Sequence, residues 1–225
     1  MAPLPVPDGA RLLVSVGAGT SILPRVRRGA AAPGGEPYER LGPLYDRWCA
    51  GVDHDIPFYV LICEGAAGPI VELGAGSGRI SVELARHGHR VIAPFRTFMH
   101  LAGDAERVQA LSAAAGLLSD GGRFVFDVFE PSPADIRATH DRWIARREGI
   151  SERPLWDASE RRLELDVRLP GRVVPMTLEW RSGAEWSALC AEAGLTVVSA
   201  ESGFGGEPLD GRQGDQIYIC ERRSS

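Results

Sequence analysis

The chain contains no lysine at all: every one of its 25 basic side chains is arginine. That absence excludes a Schiff-base lysine and the phosphate-binding lysine of a P-loop. We read the bias as a base-composition effect rather than a functional one. Cysteine is sparse too. Cys49, Cys63, Cys190 and Cys220 lie far apart, with no CxxC pair and no histidine nearby at ligand spacing. A zinc site is therefore not expected, and reduced, mostly buried thiols in a cytoplasmic protein are. No apolar run approaches the length of a membrane span. A net charge of −5 leaves no electrostatic footprint for nucleic acid.

What is present is enough for one sizeable core: 225 residues, of which 44% are hydrophobic. Residues 1–36 are rich in Pro, Gly, Ala and Arg, and read as a disordered extension with no clean signal-peptide pattern. Residues 37–225 read as a single domain. Its first part, to about Glu64, has short helical segments split by Pro43, Gly51 and Pro57. A strand near Pro69–Leu73 leads into a helix to about His87, and HRVIA at 89–93 is a second strand. Asp104 is the expected N-cap of the helix AERVQALSAAAGLLS. RFVFDVFEP reads as a buried strand, followed by a helical stretch to about Glu148. An antiparallel hairpin is expected over about 161–180, centred on Pro170-Gly171. Ser182 and Glu185 form a capping box for the next helix, and TVVSAESGF and QIYICERR are the last strands. The alternation predicts an α/β fold with a Rossmann-like, mostly parallel sheet, flanking helices and the hairpin as an insertion.

The stretch Ile70–Gly78, IVELGAGSG, carries the most chemistry. It reads as strand, tight loop, helix, a junction that sets backbone N–H groups beside a bound ligand. Gly74, Gly76 and Gly78 keep the loop free of side chains that would collide with a ligand. Glu72 stands at the strand's carboxyl end, where a carboxylate suits a cationic or hydroxyl-rich group and not a phosphate. The spacing is also G-x-G-x-G and not G-x-G-x-x-G, which disfavours a dinucleotide.

VELGAGSGRISVELARHGHRVIA resembles motif I and its surroundings in class I S-adenosylmethionine-dependent methyltransferases. GGRFVFDVFEPSP is similar to the fifth strand of that family, and LEWRSGAEWSALCAEAGLTVVSAESGF with QIYICERR to its closing half. The YDRW segment and the hairpin resemble the small-molecule branch, such as the aminosugar N-methyltransferases. The resemblance implies S-adenosylmethionine as cofactor, a small-molecule amine or hydroxyl acceptor, and a cytoplasmic enzyme without nucleic-acid or membrane partners. It implies that Glu72, Gly74, Ala75, Gly76 and Gly78 line the cofactor. Tyr45 would be a lid over it, and Pro94 and Phe95 would lie in the loop after the fourth strand. Arg96 and Glu130 become candidates for substrate contact, His100 for a catalytic base, and Asp127 for a structural role at the sheet's end.

The chain departs from that family in one place. The family's second strand ends in an acid that grips the ribose hydroxyls, whereas HRVIA runs into Pro94. Pro94 comes only sixteen residues after Gly78. One strand–helix–strand unit takes about 30 residues, so the stretch is too short for the two units expected there. VIA could then sit in the second position or in the fourth, beside the first strand. In the fourth, right-handed crossover would put RISVELARHG on the opposite face from usual. The shortening leaves two other readings: a catalytically inactive methyltransferase-like protein or interaction module, and a Rossmann oxidoreductase.

Overall fold

The computed structural model describes residues 13–14, 45–49, 54–63, 70–73, 80, 91–93, 96–118, 120–147 and 149–223. A seven-stranded sheet forms the centre, in the order β1-β2-β3-β4-β11-β9-β10. Its members are β1 (Leu13–Val14), β2 (Val71–Glu72), β3 (Val91–Ala93), β4 (Arg123–Glu130), β9 (Leu195–Ser202), β10 (Glu207–Pro208) and β11 (Gly214–Arg222). β1 to β4 run parallel, while β11 is antiparallel to both β4 and β9. The sheet, expected to be mostly parallel, is parallel from β1 to β4 and antiparallel from β4 to β10.

β3 settles where VIA goes. Val91 pairs with Val71 and Phe124, and Ile92 with Glu72 and Val125. VIA therefore takes the fourth position, between β2 and β4. On the other side of β2 stands β1, with Leu13 opposite Val71 and Val14 opposite Glu72. Leu13 and Val14, within the stretch expected to be a disordered extension, are thus paired in the sheet. The pairing covers the edge of β2, whose ladder groups would otherwise be open. The segment RISVELARHG lies outside the described residues except for Ile80.

Three further expectations change. α3 (Gly103–Leu117) has Ala102 and not Asp104 at its N-cap, and the Glu106 carboxylate accepts the Ala102 N–H at 3.0 Å. Asp104 sits in the first turn, where Arg107 and Arg181 claim its oxygen. The helix after β4 is α4 (Pro133–Thr139), opened by a Ser132–Asp135 capping box and ended at His140, before Asp141 turns the chain with φ 55°. It stops nine residues short of Glu148 because the next residues are strand. The hairpin, finally, is part of a larger second sheet. β7 (Arg162–Leu169) and β8 (Arg172–Glu179) join β5 (Ile144–Arg147) and β6 (Ile150–Asp157) in an antiparallel meander. Leu163, Val167 and Leu169 on β7 and Val174, Met176 and Leu178 on β8 are buried, a period of two that makes one face apolar.

Between the two sheets, Phe126 is the hub of an aromatic cluster. Its ring centroid lies 5.1 Å from Tyr218, 5.2 Å from Phe124, 5.3 Å from Phe98 and 5.6 Å from Trp186. Trp186 comes from α5 (Gly183–Glu192), which starts in the expected Ser182–Glu185 capping box. Gly183 packs closely there: a Cβ would crowd Leu209 Cδ2 at 3.1 Å and the Tyr218 hydroxyl at 3.3 Å. The opposite face of the central sheet packs Val125, Ile217 and Ile219 against Tyr59 and Cys63 of α2 (Ile56–Cys63). All four cysteines are buried, and the Cys190 and Cys220 sulfurs lie 3.9 Å apart.

Candidate functional site

Parallel sheets bind ligands at the carboxyl ends of their strands. Here that edge is defined by Glu72 and Ala93, the last residues of β2 and β3. Ala93 pairs with Phe126, so Asp127 is the first residue of β4 beyond that level. Glu72, Asp127 and Asp55 are each less than 5% exposed, three buried carboxylates close enough to act on one hydroxyl. That hydroxyl is Tyr59 Oη, which donates to Asp127 Oδ1 at 2.6 Å. Burial first, then the charges of Asp127, Asp55 and Glu72, pushes the Tyr59 pKa well above its ordinary value, so it remains a donor.

Asp127 holds a second partner. Its Oδ2 accepts the Arg96 backbone N–H at 3.1 Å. Arg96 is in the left-handed region, φ 58° and ψ 24°, an uncommon conformation for a residue with a Cβ. Its guanidinium ion-pairs with Asp215 at 2.8 Å and lies 4.6 Å over the Phe129 ring. The candidate substrate arginine is thus engaged with β11 and β4, though still 39% exposed. A 3₁₀ turn, Thr97–His100, follows and sinks Phe98 and Met99 into the core. The Phe129 N–H donates to Met99 Sδ at 3.2 Å.

His100 ends that turn and hydrogen-bonds the Thr177 backbone on β8, the outer strand of the second sheet. Burial lowers its pKa from 6.5 to about 4, against the Thr177 bond that raises it. At neutral pH the imidazole is uncharged and weakly basic, which fits a residue tying the turn to β8 better than a proton acceptor. Since the folded-state pKa lies below the unfolded one, the unfolded chain binds this proton first. The contribution is complete above about pH 6.5 and is lost as pH falls towards 4. Stability should therefore drop by up to about 3 kcal/mol across that window. Glu185, held down to about 2 by Arg161 and Ser182, titrates below it. Urea melts at pH 7, 5.5 and 4.5 check this, and His100→Gln should flatten the decline; an equal decline in the variant would assign it elsewhere.

Glu130, the other substrate candidate, accepts the Gln216 amide at 2.9 Å, and Gln216 in turn accepts the Tyr218 hydroxyl at 2.8 Å. The chain of bonds is buried at Gln216 and Tyr218 and reaches a half-exposed carboxylate at the end of β4. Tyr45 opens α1 (Tyr45–Cys49), but its side chain lies outside the described residues. So do Gly74, Ala75, Gly76, Gly78, Pro94 and Phe95. On α1, the Trp48 indole donates to Glu152 Oε1 at 2.6 Å, and Arg146 Nε reaches the other oxygen at 2.6 Å. This ties the helix to the second sheet across 104 residues of sequence. Sequence reasoning missed Tyr59, Asp215, Gln216 and Glu152, whose roles arise only from contacts between distant segments. No helix among the described residues is long and apolar enough to cross a membrane.

No family model matches the chain, and no curated protein matches it. Solved structures do. The CcbJ methyltransferase of Streptomyces caelestis superposes with a TM-score of 0.65 at 20% identity, over 82% of this chain and 96% of that one. An S-adenosylmethionine-dependent methyltransferase of Clostridium acetobutylicum gives 0.60 at 7% identity, over 84% and 100%. The sugar N-methyltransferase KedS8 of a Streptoalloteichus species gives 0.52 at 16% identity, over 92% and 100%. The fold of this chain is that of the S-adenosylmethionine-dependent methyltransferases.

Proposed function

We propose that the protein transfers the methyl group of S-adenosylmethionine to an amine or hydroxyl of a small molecule. The observation that carries this reading is Glu72, a carboxylate only 4% exposed at the end of β2, immediately before the loop Gly74–Gly78. A buried carboxylate at that edge is placed to make a charge-assisted bond to a cation, and the cofactor's amino group would be one. S-adenosylmethionine supplies a methyl group on a positive sulfonium, open to in-line attack. Gly74, Ala75, Gly76, Gly78, Tyr45, Pro94 and Phe95 are the residues that the family resemblance assigns to the cofactor. Arg96 and Glu130 border the acceptor. Most of the acceleration comes from alignment of acceptor and methyl carbon, so a strong base is not needed. KedS8, a sugar N-methyltransferase, supports an amine acceptor among the two.

A second reading has its own observation. VIA fills the position between β2 and β4, and no acid follows Ala93 to grip a ribose. A methyltransferase-like protein without activity fits that feature. Titration calorimetry with S-adenosylhomocysteine and with NADH, followed by transfer of labelled methyl to a panel of small amines and alcohols, separates the readings. Binding of the homocysteine nucleoside and methylation of an amine are expected. Binding without any transfer favours the inactive protein, and binding of NADH alone sinks the proposal.

A further inference from the structure

We propose that Asp127 is a positioning residue of the site: its buried carboxylate, bridging the Tyr59 hydroxyl of α2 and the Arg96 backbone N–H, fixes the left-handed turn by which the chain leaves β3. The inference rests on the proposed methyl transfer, in which Arg96 borders the acceptor.

Three observations converge on this carboxylate. It is 3% exposed, so it is desolvated, and hydrogen bonds to a charged group in such surroundings are strong. Its two oxygens are directed at different elements, Oδ1 to Tyr59 at 2.6 Å and Oδ2 to Arg96 at 3.1 Å. And what it holds is strained, since Arg96 carries a side chain at φ 58°. β3 contributes only three residues to the sheet before this turn. A strand that short gives the chain leaving it little guidance, so the exit must be held from outside. Asp127 is the first residue of the neighbouring strand beyond the level of Ala93. The Arg96 guanidinium adds a second hold through Asp215, which is one-third exposed and correspondingly weaker. Because the turn precedes Phe98 and Met99, both buried, a shift at Arg96 cannot be absorbed downstream.

The test compares Asp127→Val, Asp127→Asn, Tyr59→Phe and Asp215→Asn in the full chain. Two readouts are used: hydrogen exchange of the peptide covering residues 96–100, and calorimetric affinity for S-adenosylhomocysteine. Asp127→Val should speed exchange in that peptide and weaken the ligand about tenfold or more, as expected for a displaced site segment. Asp127→Asn should restore both, because its oxygen can accept from Arg96 and its amide can donate to Tyr59. Tyr59→Phe should lower the melting temperature but leave exchange and affinity near those of the wild type. Asp215→Asn should do the same, and keeps the test decisive if the valine variant does not fold. The proposal is overturned if Asp215→Asn loosens the turn or weakens the ligand tenfold, or if Tyr59→Phe and Asp127→Val act alike. A wild-type protein that binds no S-adenosylhomocysteine would remove the methyl-transfer reading, and exchange alone would still decide whether Asp127 holds the turn.

Discussion

Glu72→Gln should weaken S-adenosylhomocysteine binding about tenfold to a hundredfold with a much smaller effect on the melting temperature. Glu72 is 4% exposed, so its charge has lost most of its hydration in the folded chain. In such surroundings a bond from a cationic group to a carboxylate is strong. Glutamine keeps the volume and the hydrogen-bonding oxygen but not the charge. The difference is a charge-assisted bond, worth about 1.5–3 kcal/mol. Calorimetry gives the first quantity and a thermal melt the second. A variant that loses stability and affinity together would show Glu72 to be a packing residue with no direct part in ligand binding.

Arg107→Ala should cost about 3–5 kcal/mol of folding stability, as expected when one member of a buried ionic network is removed. Arg107 is fully buried on α3 and stacks 5.9 Å from the Trp186 ring of α5. It donates to Asp104 at 2.9 Å, to Glu179 at 3.0 Å and to the Leu101 carbonyl at 2.8 Å. Arg181 shares both carboxylates, from 2.9 and 3.2 Å. The network thus fastens α3 to the end of β8 and the start of α5. Alanine leaves both a void beside Trp186 and a half-buried Glu179 with one cation fewer. Arg107→Met fills the void and should lose clearly less. Urea unfolding of the two variants checks this; equal losses, or a loss below about 1 kcal/mol in the alanine variant, would count against the network.

The local chemistry of the chain was legible wherever neighbours in sequence decide structure. The Ser182–Glu185 capping box, the turn at Pro170-Gly171 and the buried run RFVFDVFE depend on residues within a few positions of one another, and all three are found. Asp104 was misplaced for a related reason. Several acids near a helix start compete for the same role, and Arg107 and Arg181, the second from 77 residues away, decide which one is left to cap. The helix expected to reach Glu148 failed in the same way, since the residues after His140 are drawn into a sheet by β6.

The sequence by itself determined the class of the fold, because a buried strand run, a hairpin turn and a capping box are local patterns. It also showed that a segment was too short for two strand–helix–strand units. Only the tertiary structure decided where the strand VIA goes. VIA could have filled either position, and its pairing with Phe124 and Val125 put it in the fourth. Only the tertiary structure, too, brought the Tyr59 hydroxyl and the Arg96 N–H onto the Asp127 carboxylate. Such a site is assembled by strand order and helix packing, across separations of 31 and 68 residues that no local pattern encodes.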